Sequence, residues 1–405
     1  MTRATPAVAA RPAYLGFAAF GALWGIWGAA LPALRDAAGL TEGQLGMALL
    51  CIGAGALPAM LLTGRAVDRF QGRVVALALT LMAVAGVAVA TAADDLLSLA
   101  VLALALGATS GAADVGINAV AGAAERAAGR PVLTRAHGVF STAVVAGALG
   151  TGAIEGAGLP VAVAFGLAVV AALVAAGPLW RVRLATGDEP DAAAGPGTLQ
   201  GRSWALPLVV IGLVGALAFA VENAHQSWSA VFLADELSVG SGLTAAAPAI
   251  FAGVAAATRF AVGASGRLPA GPLLTAGATA AAAGSLLLAS ASTPVVALAG
   301  LALAAAGTSV LFPTLLREAL RGVRAEMRGR ATSAVATTAY LGFVLGPVYV
   351  GVLAAAAGLR TAVVGIAALA GVTAVIAWPV ARWSRRAGTL SAAAGERGMR
   401  RVARR

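Results

Sequence analysis

Apolar residues fill this chain in stretches of roughly 20, separated by short polar segments that collect most of the charge. A helix rising 1.5 Å per residue needs about 20 such residues to cross about 30 Å of hydrocarbon. On that measure the pattern predicts twelve spans: 13–34, 44–63, 74–92, 96–119, 136–157, 160–180, 205–228, 242–263, 271–290, 293–315, 332–356 and 361–381. Gly and Ala recur throughout, as close helix packing in a bilayer demands, because small side chains let backbones approach. The first run follows Arg3 and Arg11 and has the outline of a signal peptide. With eleven further spans behind it, it is expected to remain as the first helix.

The longest interruption, Arg181–Trp204, carries Gly187-Asp188-Glu189-Pro190-Asp191 and Gly195-Pro196-Gly197. It divides the spans six and six. The expectation is an all-α membrane protein with one half at 1–180, a linker at 181–204, a second half at 205–381 and a basic tail at 382–405. The halves share a rhythm. Arg65–Arg73 follows the second span as Arg259–Arg267 follows the eighth, and Glu125–Arg135 follows the fourth as Arg317–Arg330 follows the tenth. Parallel six-helix repeats with a site between them are the plan of a transporter.

Composition strengthens this. Only 11% of the residues are charged, 60% are hydrophobic and mean hydropathy is +0.89. Soluble proteins carry about 25% charged residues, so most of this surface must face lipid. The net charge of +11 could suggest nucleic acid, but its placement argues for a membrane. All 28 basic residues are arginine, and eight lie in the last 24 residues, where a basic tail meets anionic lipid. The N-terminus, 64–73, 120–135, 181–204, 258–270, 316–331 and the tail hold every arginine except Arg35 and Arg360. By the positive-inside bias those segments, and both termini, are expected in the cytoplasm, with the protein in the cytoplasmic membrane.

Several chemistries are disfavoured. Cys51 is the only cysteine, which excludes a disulfide, and with two histidines it leaves no metal cluster. Gly150-Thr151-Gly152-Ala153-Ile154-Glu155-Gly156 imitates a dinucleotide fingerprint, but it sits inside an apolar span without a preceding strand. No phosphate-binding loop is present, and no cofactor is expected. Asp94-Asp95 could hold Mg²⁺ and a diphosphate in an intramembrane transferase, yet no second acidic cluster matches them. A sensor that has lost transport is a further alternative. The chain is not expected to be an enzyme.

The loop after the second span reads Gly64-Arg65-Ala66-Val67-Asp68-Arg69-Phe70-Gln71-Gly72-Arg73. This resembles the signature loop of the major facilitator superfamily, which implies the major facilitator fold and a cytoplasmic gate at Gly64, Arg65, Asp68, Arg69, Gly72 and Arg73. Its glycines are expected to permit a tight turn, and Asp68 to pair with an arginine beside it or across the bundle. A narrower resemblance lies in Gly111-Ala112-Ala113-Asp114-Val115-Gly116-Ile117-Asn118, Gly129-Arg130-Pro131 and His137-Gly138-Val139-Phe140-Ser141. Leu31-Pro32, Gly39–Gly46 and Glu222–Leu233 extend it. Together they are similar to the MosC-like branch of the superfamily, near sugar permeases of the fucose type. That resemblance implies proton-driven symport of a sugar-like solute, with drug or metabolite export as the alternative.

The candidate site comes from polar residues at membrane depth, which are costly unless they face a cavity or a partner. Gly107, Gly111, Asp114 and Asn118 form one stripe of the fourth span. His137 and Ser141 begin the fifth span, where His137 could meet Asp114. In the seventh, Glu222, Gln226 and Ser229 share a face, with Trp228 beside them. An aromatic surface next to hydrogen-bonding groups suits sugar rings or cationic organics, although Trp228 could equally be an interfacial anchor. Trp24 and Trp27 could line the same cavity, with packing or lipid contact the simpler expectation. Asp114, His137 and Glu222 can each carry a coupling proton. The expected partners are a small solute, protons and lipid, with no nucleic acid, and the protein is expected to work as a monomer.

Overall fold

A computed structural model describes residues 6–184, 202–266, 268–321, 323 and 327–402. Most of the expected linker (185–201) and Arg267 fall outside them. The chain is helical along nearly all of this length. The first six spans are α1 (Pro6–Ala37), α2 (Glu42–Phe70), α3 (Gly72–Ala92), α4 (Leu96–Ala128), α5 (Leu133–Gly156) and α6 (Ala162–Trp180). Then follow α7 (Arg202–Leu237), α8 (Ser241–Thr244), α9 (Ala246–Ala264), α10 (Ala270–Ala289), α11 (Pro294–Thr308), α12 (Leu311–Ala319), α13 (Arg328–Ala357) and α14 (Leu359–Val402). The short α8 joins α9 in one span, and α11 joins α12 in another, so twelve spans are long and apolar enough to cross a membrane. This is a multi-pass membrane protein.

Helix starts are written locally. Thr41 closes a capping box with Gln44 at the head of α2, and Asp95 does the same with Ser98 at the head of α4. Thr293 caps α11 just before Pro294, whose missing N–H costs nothing in a first turn. The Glu125 carboxylate, near the end of α4, accepts from the backbone N–H groups of Val132 and Leu133 at 2.8 and 2.9 Å. It thereby satisfies orphan donors at the head of α5.

Several spans run past their expected bounds, α2, α4 and α14 among them, and two further departures have a visible cause. The seventh runs to Leu237 and not to 228, because its polar residues find partners inside the bundle and give the helix no reason to end. The tenth breaks at Ser309–Val310, where Pro313 has no N–H to offer the Ser309 carbonyl.

Small residues bring the helices into contact. α1 lies on α5, where a Cβ added at Gly25 would overlap the Val144 carbonyl. α2 lies on α4 through Gly107 and the Ile52 carbonyl, and α7 on α13 through Gly342 and the Ala216 carbonyl. The first six spans meet the last six along α2–α13, α5–α8/α9 and α1–α7. Where α2 joins α3, α4 joins α5 and α12 approaches α13, the bundle is rich in arginine; this is the basic end. The opposite end carries Asp36, Glu42, Asp94, Asp95, Asp235 and Glu236.

Candidate functional site

A cavity of about 310 Å³ lies where the two halves face each other. The first half contributes Phe20, Trp24, Trp27 and Gly28 from α1, residues 49–60 of α2, Ser110 and Asp114 from α4, and Phe140, Ser141 and Val144 from α5. The second half contributes Glu222, Asn223, Gln226 and Ser227 from α7, positions between 248 and 259 of α9, and Tyr340, Phe343, Val344 and Pro347 from α13. Most of this wall is apolar, with a few polar groups converging on it. That is the general form of a small-molecule site.

Arg259 is the centre of its polar side. Its guanidinium donates to Glu222 Oε1 at 2.9 Å and to the Ser309 carbonyl at 3.1 Å. That carbonyl is free to accept because Pro313, four residues on, has no N–H. Gln226 donates to the same Glu222 oxygen at 3.4 Å. The Asn223 amide uses a second proline-freed acceptor, the Phe343 carbonyl at 2.5 Å, since Pro347 stands four residues beyond it. Across the cavity, Asp114 Oδ1 accepts from the Asn118 amide at 3.0 Å, and Asn118 also donates to the Asp114 carbonyl at 2.9 Å. Ser141 donates back to the His137 carbonyl.

Aromatic rings line both sides. Phe20 and Trp24 lie edge to face with centroids 6.3 Å apart, Trp24 and Trp27 at 6.4 Å, and Phe20 faces Phe140 at 5.8 Å. On the other wall Tyr340 and Phe343 sit 5.3 Å apart.

This arrangement revises several expectations. Asp114 and His137 do not meet: the His137 ring lies edge-on to Phe17, with centroids at 4.9 Å, and does not line the cavity. Asn118 supports Asp114 from one turn further along. Trp228 turns away, being 1% exposed, with its indole N–H donating to the Pro347 carbonyl at 3.0 Å. It is neither a cavity wall nor an anchor at the membrane surface. Ser229 is buried, its hydroxyl donating to the His225 carbonyl, and it does not line the cavity. Trp24 and Trp27 take the place in the wall that Trp228 was expected to fill.

Arg259 is the residue of the site that the sequence does not single out: the arginine pattern counts it with the basic segment 258–270, although the expected span 242–263 also contains it. α9 continues to Ala264, so Arg259 lies more than a turn inside it. A lone arginine before the end of an apolar run, with two prolines freeing carbonyls elsewhere, was the available signal.

The ten-residue signature loop lies at the basic end, but its turn is made differently from expectation. Gly64 is helical and Gly72 begins α3; the break falls on Gln71, with φ 60° and ψ −143°. Such a backbone is strained for an L residue, and Gln71 is held in it by its own amide. It donates to the Asp68 carbonyl at 2.8 Å and accepts from the Leu184 N–H at 2.6 Å. Gly72 is needed for packing, because a Cβ there would overlap the Leu179 carbonyl. Arg69 lies over the Phe70 ring and Arg73 over Trp180, with 5.3 and 5.7 Å to the centroids. Arg65 and Asp68 are exposed, and Asp68 makes no ion pair with any described residue.

The profile of the Major Facilitator Superfamily matches residues 13–347. The chain belongs to that superfamily. An uncharacterized MFS-type transporter of Yersinia pestis is 30% identical over 350 residues, covering 83% of this chain and 86% of the relative. Membrane protein MosC of Rhizobium meliloti is 28% identical over 352 residues, covering 85% and 83%. Among solved structures, the nucleoside transporter NupG superposes with a TM-score of 0.69 at 14% identity, covering 92% of this chain and 98% of that one. A D-xylose-proton symporter gives 0.71 at 15% identity, covering 93% and 98%. At those identities the structures establish the major facilitator fold. The chain is a transporter of this superfamily and not an enzyme.

Proposed function

We propose that this major facilitator transporter is a secondary active carrier that moves a small polar organic solute by alternating access, coupled to protons. The observation that carries this is the cavity between the halves, with Asp114 on one wall and the Glu222–Arg259 pair on the other. A site shared by two bodies can open to either side as they rock. Asp114 is the proton-exchanging group, supported by Asn118, while Glu222, Gln226, Arg259 and Ser141 hold the solute. The Gly64–Arg73 loop is the gate at the basic end.

The arginine bias supports placing that end, and both termini, in the cytoplasm, with the chain in the cytoplasmic membrane and acting as a monomer. In a Cys51→Ala background, a cysteine at Asp94 then reacts with an impermeant thiol reagent added outside, and one at Arg65 does not. The reverse labelling overturns the orientation.

The likeness to the D-xylose-proton symporter, and to the sugar-permease side of the superfamily, supports uptake of a sugar-like solute. Reconstituted vesicles test the carrier assignment: Asp114→Asn abolishes gradient-driven accumulation but still exchanges labelled for unlabelled solute, and Glu222→Gln weakens solute binding itself. If Asp114→Asn accumulates solute in a pH-dependent way, the proton site is elsewhere.

A further inference from the structure

We propose that the solute carries one positive charge, as a protonated or quaternary amine on a compact organic body, and that it and a proton take turns at Asp114. This rests on the carrier reading above, a solute moved between the halves with protons, and replaces its sugar-like solute with a cation held at Asp114, which Asp114→Asn would no longer exchange.

The inference begins with a count of charge. The cavity wall holds three charged side chains: Asp114, Glu222 and Arg259. Arg259 is committed to Glu222 at 2.9 Å and to a carbonyl at 3.1 Å, so those two charges cancel. Asp114 has the Asn118 amide at 3.0 Å and no cation among the described residues. What faces it keeps the imbalance. α13 presents Tyr340, which feels the Asp114 charge; α5 presents Ser141, while its His137 lies against Phe17 and beside the Arg259 charge. α1 and α2 present Phe20, Trp24 and Met60, which carry no charge. One carboxylate is therefore left over in a largely apolar chamber, where an isolated charge is costly and a counter-charge is favoured.

A proton can supply that charge, and so can the solute. The walls favour a cation. Trp24 and Trp27 on one side and Tyr340 on the other present electron-rich rings, which attract ammonium groups. Acceptors for an ammonium group stand in the wall: Glu222 has its second oxygen, and the carbonyl of Gly28 lacks a helical donor because Pro32 follows four residues later. A neutral solute would leave the compensation of Asp114 to a proton alone. An anion would add to the excess, since Arg259 is already paired.

Proton and cation then exclude each other at one carboxylate. Binding of the amine by protonated Asp114 releases the proton to water, leaving an ammonium–carboxylate pair. The cycle is an exchange of one cation for one proton, in place of the symport that the sequence resemblance implies.

Three probes of similar size and different charge test this on the purified full-length protein: benzyltrimethylammonium, benzyl alcohol and benzoate. By titration calorimetry in weakly buffered solution, benzyltrimethylammonium binds at least tenfold more tightly than the other two. Its binding releases a proton and weakens as pH falls. Asp114→Asn, checked for folding by its melting curve, loses both the preference and the proton release. Equal binding of the three probes, binding of none, or a preference that survives in Asp114→Asn overturns the proposal. If Asp114→Asn does not fold, proton release by the unaltered protein decides the matter, and its absence overturns the proposal. In vesicles, a neutral sugar such as xylose that moves protons overturns the cation assignment and leaves the carrier reading standing. If neither the cation nor any sugar moves protons, both fall.

Discussion

The two ends of the bundle are closed by different interactions. At the end opposite the basic one, charge crosses between the halves, where Arg35 on α1 pairs with Asp235 on α7 and also holds Asp36 at 2.8 Å. The next residue, Glu236, holds Arg360 of its own half at 2.7 Å, and that guanidinium donates to the carbonyls of Ala289 and Ala291 at 2.8 Å. Backbones touch there as well, since a Cβ at Gly46 would stand 3.0 Å from the Gly351 Cα. At the basic end no ion pair between described residues joins the halves, and Phe260 rests its ring on Gly138. The comparison explains the two arginines that the charge bias leaves over. Arg35 and Arg360 stand apart because each serves one member of the Asp235-Glu236 pair. Arginines crowd one end in number, but the few at the other end form the lock.

Reversing the charge at that lock has the largest expected effect. Asp235→Arg sets two arginines against each other, where contact repulsion costs roughly 2 kcal/mol or more. A cysteine at Leu31, which is 1% exposed beneath the lock, then reacts about thirtyfold faster with an impermeant reagent. The swap Arg35→Asp with Asp235→Arg restores slow labelling; if it does not, the pair is incidental to closure.

Arg35→Ala has a smaller effect. The pair is mostly shielded, at 12% and 27% side-chain exposure, so its loss shifts the same equilibrium by about 1–2 kcal/mol, roughly tenfold in labelling rate. An unchanged rate means that the glycine contact alone closes this end. At the basic end, Asp68→Asn slows turnover severalfold and leaves solute affinity unchanged, because the proposed gate loop lies away from the cavity. Equal losses in both would make Asp68 a structural residue.

The smallest effect is at Asp95, on the rim of the end that holds the lock. The Ser98 backbone N–H, and then its hydroxyl, hold the Asp95 carboxyl below the usual carboxylate range. A depressed folded pKa stabilises the protein above the unfolded value and loses that contribution as pH falls through the folded one. The melting temperatures of the parent protein and Asp95→Ala therefore differ at pH 6 and converge towards pH 3. A constant gap would assign the effect to packing and not to the charged cap.

Twelve spans were legible because the cost of exposing polar groups to lipid acts on each segment separately, so hydropathy along the chain is enough. The caps at Thr41 and Asp95 were equally local. The end of the seventh span was not legible. Polar residues there looked like an exit from the membrane, and only neighbours distant in sequence show why the helix continues. His225 donates to Ser285 at 2.8 Å, and the Ser285 hydroxyl donates onward to the Ala281 carbonyl.

The candidate site divides the same way. That Asp114 and Glu222 lie at membrane depth follows from the sequence, since a carboxylate inside an apolar run has to face something polar. Which carboxylate is already paired could not follow, because Arg259 stands 37 positions from Glu222 and looked like part of a loop. The sequence by itself determined the spans, the superfamily signature and the arginine asymmetry, all of which depend on residues near one another in the chain. Only the tertiary structure decided that Trp228 faces the core, that Trp24 and Trp27 face the cavity and that Arg259 belongs to Glu222. The direction of a side chain and the balance of buried charge depend on which helices pack together, and that is settled by contacts across the whole chain.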